Sequence, residues 1–354
     1  MQVDVDRIKV LIIDDSPSSR ELLTFIIESD SQLMVMACIS SGQEALKFLE
    51  THKPDVIILD LIMPKMDGYE TTQCIMQRYP VPIIIVSGAS QVHDVNNIFR
   101  ALEIGALAVL EKPDGVGSEN YSIQVKAITD TIKTVSGAKL ISRFIRPNRP
   151  STDLKRTTSF DGACVGVDVD IVAIGASLGG PQALHKIFSE ISKDFPAPIL
   201  VVQHISKGFI SGFVEWLSRY SNLKINIAKN GEKAIGGHIY VAPDGFHLEM
   251  KQVGIIALTK KNDHEELCPS VARLFRSIAN VYGARAVGVI LTGMGKDGAE
   301  ELLLMKKRGA LTIAQDEKSS VMFGMPKEAI LLNAAKCVVS LEEIAPMLNQ
   351  IRSM

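Results

Sequence analysis

Short, largely apolar runs alternating with stretches of helical period recur along this chain, and that alternation admits few folds. Runs of this kind read as strands buried on both faces, joined by helices into parallel sheets. Over residues 1–136 they fall at Lys9 to Ile13, Asp55 to Leu59, Pro82 to Val86 and Ala106 to Leu110, with a helical pattern over Ser19 to Glu28. From Gly137 to Asp168 the pattern fails, and Pro147, Pro150, Gly162 and Gly166 read as an interdomain linker with some helix at its start. Alternation resumes over residues 169–354, through Ile199 to Gln203, Ile239 to Ala242, Val287 to Leu291 and Leu311 to Ala314. The expectation is therefore α/β: two doubly wound parallel-sheet domains joined by a linker, without an internal repeat.

At 354 residues the chain has room for about two domains. The formal charge of −2 and 46% hydrophobic content exclude a generally basic nucleic-acid binder. The linker carries Arg143, Arg146, Arg149, Lys155 and Arg156, but with Phe144 alone between them no series of aromatic residues alternates with them to stack on bases. No apolar stretch approaches the ~18 residues of a membrane span, and the opening MQVDVDRIKV is acidic where a signal peptide is basic, so a cytoplasmic location is expected. Cys38, Cys74, Cys164, Cys268 and Cys337 are scattered and lack C-x-x-C spacing, indicating neither disulfides nor a zinc cluster.

Chemistry concentrates at the ends of the apolar runs. Ile171-Val172-Ala173-Ile174 runs into Gly175-Ala176-Ser177-Leu178-Gly179-Gly180, a serine on a sharp turn where a following helix offers free N–H groups to a developing oxyanion. A dinucleotide fingerprint would want glycine at 177 and an acid near the end of the next strand. That strand, Pro198 to Gln203, ends instead in His204, where a general base for Ser177 would sit. A third run, Ala286 to Leu291, enters Thr292-Gly293-Met294-Gly295-Lys296-Asp297-Gly298. Asp297 could accept the Nδ1–H of His204, and the backbone N–H of Met294 could face the reacting oxygen. Taken alone, Ser177 could mark a glycine-rich turn and Asp297 a helix cap.

In the first domain Asp14 and Asp15 end one strand, Asp60 ends Val56-Ile57-Ile58-Leu59, Ser87 ends the next and Lys112 follows the last. Three carboxylates at one sheet edge call for a hard divalent cation, and Mg²⁺ fits their oxygens. A carboxylate beside Mg²⁺, a lysine and a hydroxyl is equipped to attack a phosphoryl donor.

Asp14-Asp15, Asp60 with Met63-Pro64 and Met66-Asp67-Gly68, Ser87 and Lys112-Pro113 resemble the receiver domain of a bacterial response regulator. The resemblance implies a flavodoxin-like domain with Asp60 as phosphoacceptor. It also implies Mg²⁺ on Asp15, Asp60 and the Ile62 carbonyl, with Asp14 acting partly through water, and Ser87 and Lys112 sensing the phosphoryl group. Receivers commonly carry an aromatic switch residue where this chain has Val109.

The second domain resembles the chemotaxis protein-glutamate methylesterase family in four stretches: Gly175 to Gly180, Val201-Val202-Gln203-His204, Thr292 to Gly298, and Gln315-Asp316-Glu317 leading to Phe323-Gly324-Met325-Pro326. This implies a Rossmann-like three-layer hydrolase with Ser177 as nucleophile, His204 as base, Asp297 as orienter and Met294 as oxyanion donor, needing no cofactor for the esterase chemistry. The implied partners are methyl-accepting chemotaxis receptors, as substrate, and a chemotaxis histidine kinase, as phosphodonor. Deamidation of receptor glutamines would use the same chemistry, and a non-catalytic receiver-output protein is the alternative. Ile205-Ser206 and Cys268-Pro269-Ser270-Val271-Ala272 depart from the family's Met-Pro and Arg-Pro-Ser-Val-Asp, which bears on receptor preference. His185, His247 and His264 are weaker catalytic candidates, and Trp216, Phe209 and Phe213 read as core. Because both sites fall at strand ends, the receiver is expected to restrain the hydrolase until Asp60 is phosphorylated.

Overall fold

The computed structural model describes residues 7–88, 92–118, 121–138, 168–262 and 267–351, the side chains of 92–97 excepted. The chain divides into two compact units, Met1–Asn148 and Arg149–Met354. Most of the expected linker, with its basic residues and Cys164, lies outside the described residues, and so does His264.

The first unit runs β1 (Ile8–Ile13), α1 (Pro17–Glu28), β2 (Leu33–Ile39), α2 (Gly42–Leu49), β3 (Val56–Leu59), α3 (Gly68–Arg78), β4 (Ile83–Ser87), α4 (Val92–Glu103), β5 (Ala108–Glu111) and α5 (Tyr121–Ser136). Its strands form one parallel sheet in the order β2-β1-β3-β4-β5. β3 and β4 are buried along their whole length, as their uncharged runs require. Local chemistry sets the helix starts: Ser16, Ser41 and Asp67 each accept a backbone N–H of the first turn, and Pro17 opens α1 where no amide hydrogen is needed. From β1 the chain moves outward to β2, then crosses back to β3. The loops after β1 and β3 therefore diverge, opening a crevice at their carboxyl ends.

The second unit contains β6 (Ile171–Ala176), α6 (Gly180–Glu190), β7 (Ile199–Gln203), α7 (Ile210–Ser218), β8 (Lys224–Ile227), β9 (His238–Val241), β10 (Phe246–Gln252), β11 (Ile255–Lys260), α8 (Val271–Tyr282), β12 (Ala286–Ile290), α9 (Ala299–Lys307), β13 (Leu311–Gln315), α10 (Met325–Leu331), β14 (Cys337–Val339) and α11 (Leu341–Leu348). Seven strands form a parallel sheet in the order β14-β13-β12-β6-β7-β9-β8, and β10 and β11 form a separate antiparallel hairpin. The reversal of strand order falls between β6 and β12. Ser177 leaves the first of these strands and Asp297 lies beyond the second, at the switch point where open parallel sheets place their sites.

Trp216, Phe213 and Phe209 are fully buried, as their helical spacing predicts, and each such side chain contributes about 1.5–3 kcal/mol by leaving water. His185 stacks on Trp216 at 5.2 Å between ring centroids, and His247 is buried on β10 opposite Thr259. Both are packing residues. Cys38, Cys74, Cys268 and Cys337 are free thiols.

Candidate active site

The β6–β7 ladder ends at the pair Ala176 and Gln203, so Ser177 and His204 leave neighbouring strands on the next rung. Two backbone bonds hold the Ser177 turn. Its N–H donates to the Thr292 carbonyl at 3.1 Å, and its carbonyl accepts the Gly180 N–H at 2.8 Å. Gly179 sits at φ 76°, where a side chain would also meet Val321 Cβ at 2.6 Å. The glycines thus allow the turn to press against the loop after β12. The closest approach is at Gly293, where a Cβ would lie 2.6 Å from the Ser177 Cβ.

His204 and Asp297 meet through Nε2 and Oδ2 at 3.0 Å. This corrects the expectation that Nδ1 would face the acid. The His204 backbone is pinned beside β6 by its N–H to the Ala176 carbonyl at 2.9 Å, which leaves the distal ring nitrogen to reach the loop beyond β12. A nitrogen facing a carboxylate carries hydrogen, so Nδ1 is the basic atom of the neutral ring. Asp297 is the ring's one hydrogen-bond partner among the described residues. No hydrogen bond joins the Ser177 hydroxyl to the ring among the described residues.

Asp297 is itself fixed by the start of α8. Ser270 Oγ and the Ala272 N–H donate to Oδ1 at 3.0 Å each, and the Val271 N–H donates to Oδ2 at 2.7 Å. Burial pushes this carboxyl up, but the contacts with His204, Ala272 and Val271 outweigh it and hold the pKa below the ordinary value. A helix N-terminus suits an anion, so the Asp297 carboxylate stays charged.

Met294, in the loop after β12, is 48% exposed. The Gly293 carbonyl accepts the Gly324 and Met325 N–H groups at 3.1 and 2.9 Å. In a trans peptide the Met294 N–H points the opposite way from that carbonyl. Thr292, buried, locks the loop from below: its hydroxyl contacts the Leu178 carbonyl at 2.9 Å and accepts the Met322 N–H at 2.9 Å. Gln203, Ser270 and Thr292 are the residues that sequence reasoning missed as contributors. Each stands beside a recognised position or inside a motif, but nothing in the sequence says where its side chain points.

In the first unit Asp14, Asp15 and Asp60 bring carboxylate oxygens within 4.8 Å of one another. Lys112 Nζ bridges Asp14 Oδ2 at 2.9 Å and Asp60 Oδ2 at 2.7 Å, while the Ile62 N–H donates to Asp60 Oδ1 at 3.3 Å. Burial raises the Asp60 pKa and Asp14 adds to it, against the pull of Lys112. Burial lowers Lys112, but its two carboxylate partners outweigh that and leave it raised. One ammonium meets two of the three carboxylates, and a hard dication fits the remaining charge and the all-oxygen donor set. Ser87 is fully buried at the end of β4 with its hydroxyl unpartnered among the described residues, and its carbonyl accepts the Lys112 N–H at 3.1 Å. Val109 is a half-buried aliphatic on β5. No described helix is long and apolar enough to cross a membrane.

Two family models match the chain: the response regulator receiver domain over residues 10–117 and the CheB methylesterase over 172–348. A protein-glutamate methylesterase/protein-glutamine glutaminase of Syntrophus aciditrophicus is 48% identical over 97% of this chain and 98% of that one. A protein of the same description from Nitrosospira multiformis is 44% identical over 97% of both. Among solved structures, the CheB methylesterase catalytic domain of Thermotoga maritima is 38% identical with a TM-score of 0.50, covering 52% of this chain and 99% of that one. The chain belongs to the CheB methylesterase family, with a response regulator receiver domain preceding the methylesterase domain.

Proposed function

We propose that the chain is a phosphorylation-activated hydrolase that removes methyl groups from glutamate γ-methyl esters of methyl-accepting chemotaxis receptors. The observation that carries this reading is the contact of His204 Nε2 with Asp297, with Ser177 on the adjoining strand end. Ser177 Oγ attacks the ester carbonyl while its proton passes to His204 Nδ1. The oxyanion accepts the Met294 N–H, placed opposite a Gly293 carbonyl already held by two donors. Collapse expels methanol, which takes the proton from the imidazolium. Water, activated by the same nitrogen, then attacks the acyl-enzyme, yielding a free glutamate carboxylate and restoring Ser177. Asp297 keeps Nε2 protonated and stabilises the imidazolium. The esterase steps need no cofactor. A fluorophosphonate probe tests the site directly: it should label Ser177 and leave His204→Ala unlabelled, whereas labelling elsewhere contradicts the assignment.

The same acyl transfer with ammonia leaving would deamidate receptor glutamines, a reading favoured by the glutaminase in the descriptions of both relatives. Control falls to the receiver domain, residues 1–136, acting through a linker over 137–168 on the catalytic domain, 169–354. Asp60 accepts a phosphoryl group from a histidine kinase; Lys112 and Ser87 then bind its oxygens. Asp14, Asp15, Asp60 and the Ile62 carbonyl would hold Mg²⁺, which would supply charge neutralisation there. The implied setting is cytoplasmic.

A further inference from the structure

Gln203, the last residue of β7, is 1% exposed and lies between the two residues that perform the proposed chemistry. Its Nε2 donates to the Ser177 carbonyl at 2.8 Å and to the His204 carbonyl at 2.8 Å. An amide nitrogen carries two hydrogens, so both bonds form at once. The backbone ladder between the strands closes with the His204 N–H on the Ala176 carbonyl. Past that bond Ser177 turns into α6 and His204 into a loop, and the Gln203 amide spans the two exits. Its own Oε1 is buried without a partner among the described residues, and a Cβ on Gly180 would lie 2.0 Å from it. An apolar side chain of the same length would avoid that orphaned acceptor. The amide is thus kept where it is unfavourable on one side and bridges nucleophile and base on the other.

We propose that Gln203 is a positioning residue that sets the separation of Ser177 and His204 through these paired bonds. The proposal rests on the reading of Ser177 as nucleophile and His204 as base. With the clamp gone, each exit relaxes on its own, and displacements under an ångström cost proton transfer heavily. Substrate binding, which depends on the rim of the cleft, is left intact.

The test uses the full chain with Gln203→Met and Gln203→Leu, each of similar volume without the donors, alongside Ser177→Ala. With methylated receptor membranes and a phosphodonor, methanol release should show kcat reduced by about tenfold or more with KM within about twofold of wild type. Fluorophosphonate labelling of Ser177 should slow by the same factor, at unchanged circular dichroism. A fall smaller than about fivefold, or one carried by KM with labelling unaffected, overturns the proposal. Failure of both variants to fold also overturns it, because the role is then structural. A fully active Ser177→Ala instead refutes the underlying reading, while an inert Ser177→Ala beside a fully active Gln203→Met refutes the positioning role alone.

Discussion

At the scale of single residues the hydrolase site rests on three side chains from three loops, and each has a separable prediction. Ser177→Ala removes one atom from a half-buried turn, so methanol release should fall by roughly 10⁴-fold or more with the thermal transition unchanged. His204→Ala should cost a comparable factor, and the double variant little more, because the pair acts in one step. Asp297→Asn should lower the rate by roughly 10³–10⁴-fold by presenting the wrong partner to Nε2. Asp297 also links stability to pH. Its folded pKa lies below the ordinary value of 3.8, so the stability it contributes is full above that value and lost as pH falls through the lowered one. The difference in melting temperature between wild type and Asp297→Asn should therefore narrow below about pH 4, and a constant difference would show that the charge is not involved. Ser177, His204 and Asp297 were legible because each stands where an uncharged run meets glycine or polar residues. Which ring nitrogen faces Asp297 was not, because it depends on where α8 begins, a tertiary matter.

Among the elements, the buried parallel strands were the most legible, since their uncharged runs have no other use. β8, β14 and the β10–β11 hairpin were missed. β8 and β14 are edge strands whose sequences, Lys224 to Ile227 and Cys337 to Val339, are short and only partly buried. The hairpin mixes His247, Glu249 and Lys251 among apolar residues, so its period is masked by a buried histidine and an acid bonded to Thr259. β2 was missed as well: Leu33 to Ile39 is an edge strand rich in Met, Ala and Cys, which carry little strand preference. Element contacts also give a prediction. Gly293→Ala pushes a methyl group to 2.6 Å from the Ser177 Cβ and to 2.5 Å from Met325 Sδ. The turn must shift, so kcat should fall by at least about tenfold while the sheet still folds. Full activity in this variant would show that the two turns tolerate separation.

Across the whole molecule, both domains use the same geometric device, a crevice where strand order reverses, for unlike chemistry. Carboxylates gather at the ends of β1 and β3, and Ser177, His204 and Asp297, the proposed nucleophile, base and orienter, follow β6, β7 and β12. Asp60→Asn should take up no phosphoryl group from a small phosphodonor, and the wild type should take up none without Mg²⁺, both read by intact mass. A fragment beginning near Val169 should outpace the unphosphorylated full chain and ignore phosphodonor; equal rates would exclude restraint by the receiver. Methanol release from methylated receptor membranes by the purified chain, with and without phosphodonor, tests the central claim most directly. Release should rise with phosphodonor and Mg²⁺ and vanish in Ser177→Ala, and release from Ser177→Ala at the wild-type rate would contradict the account.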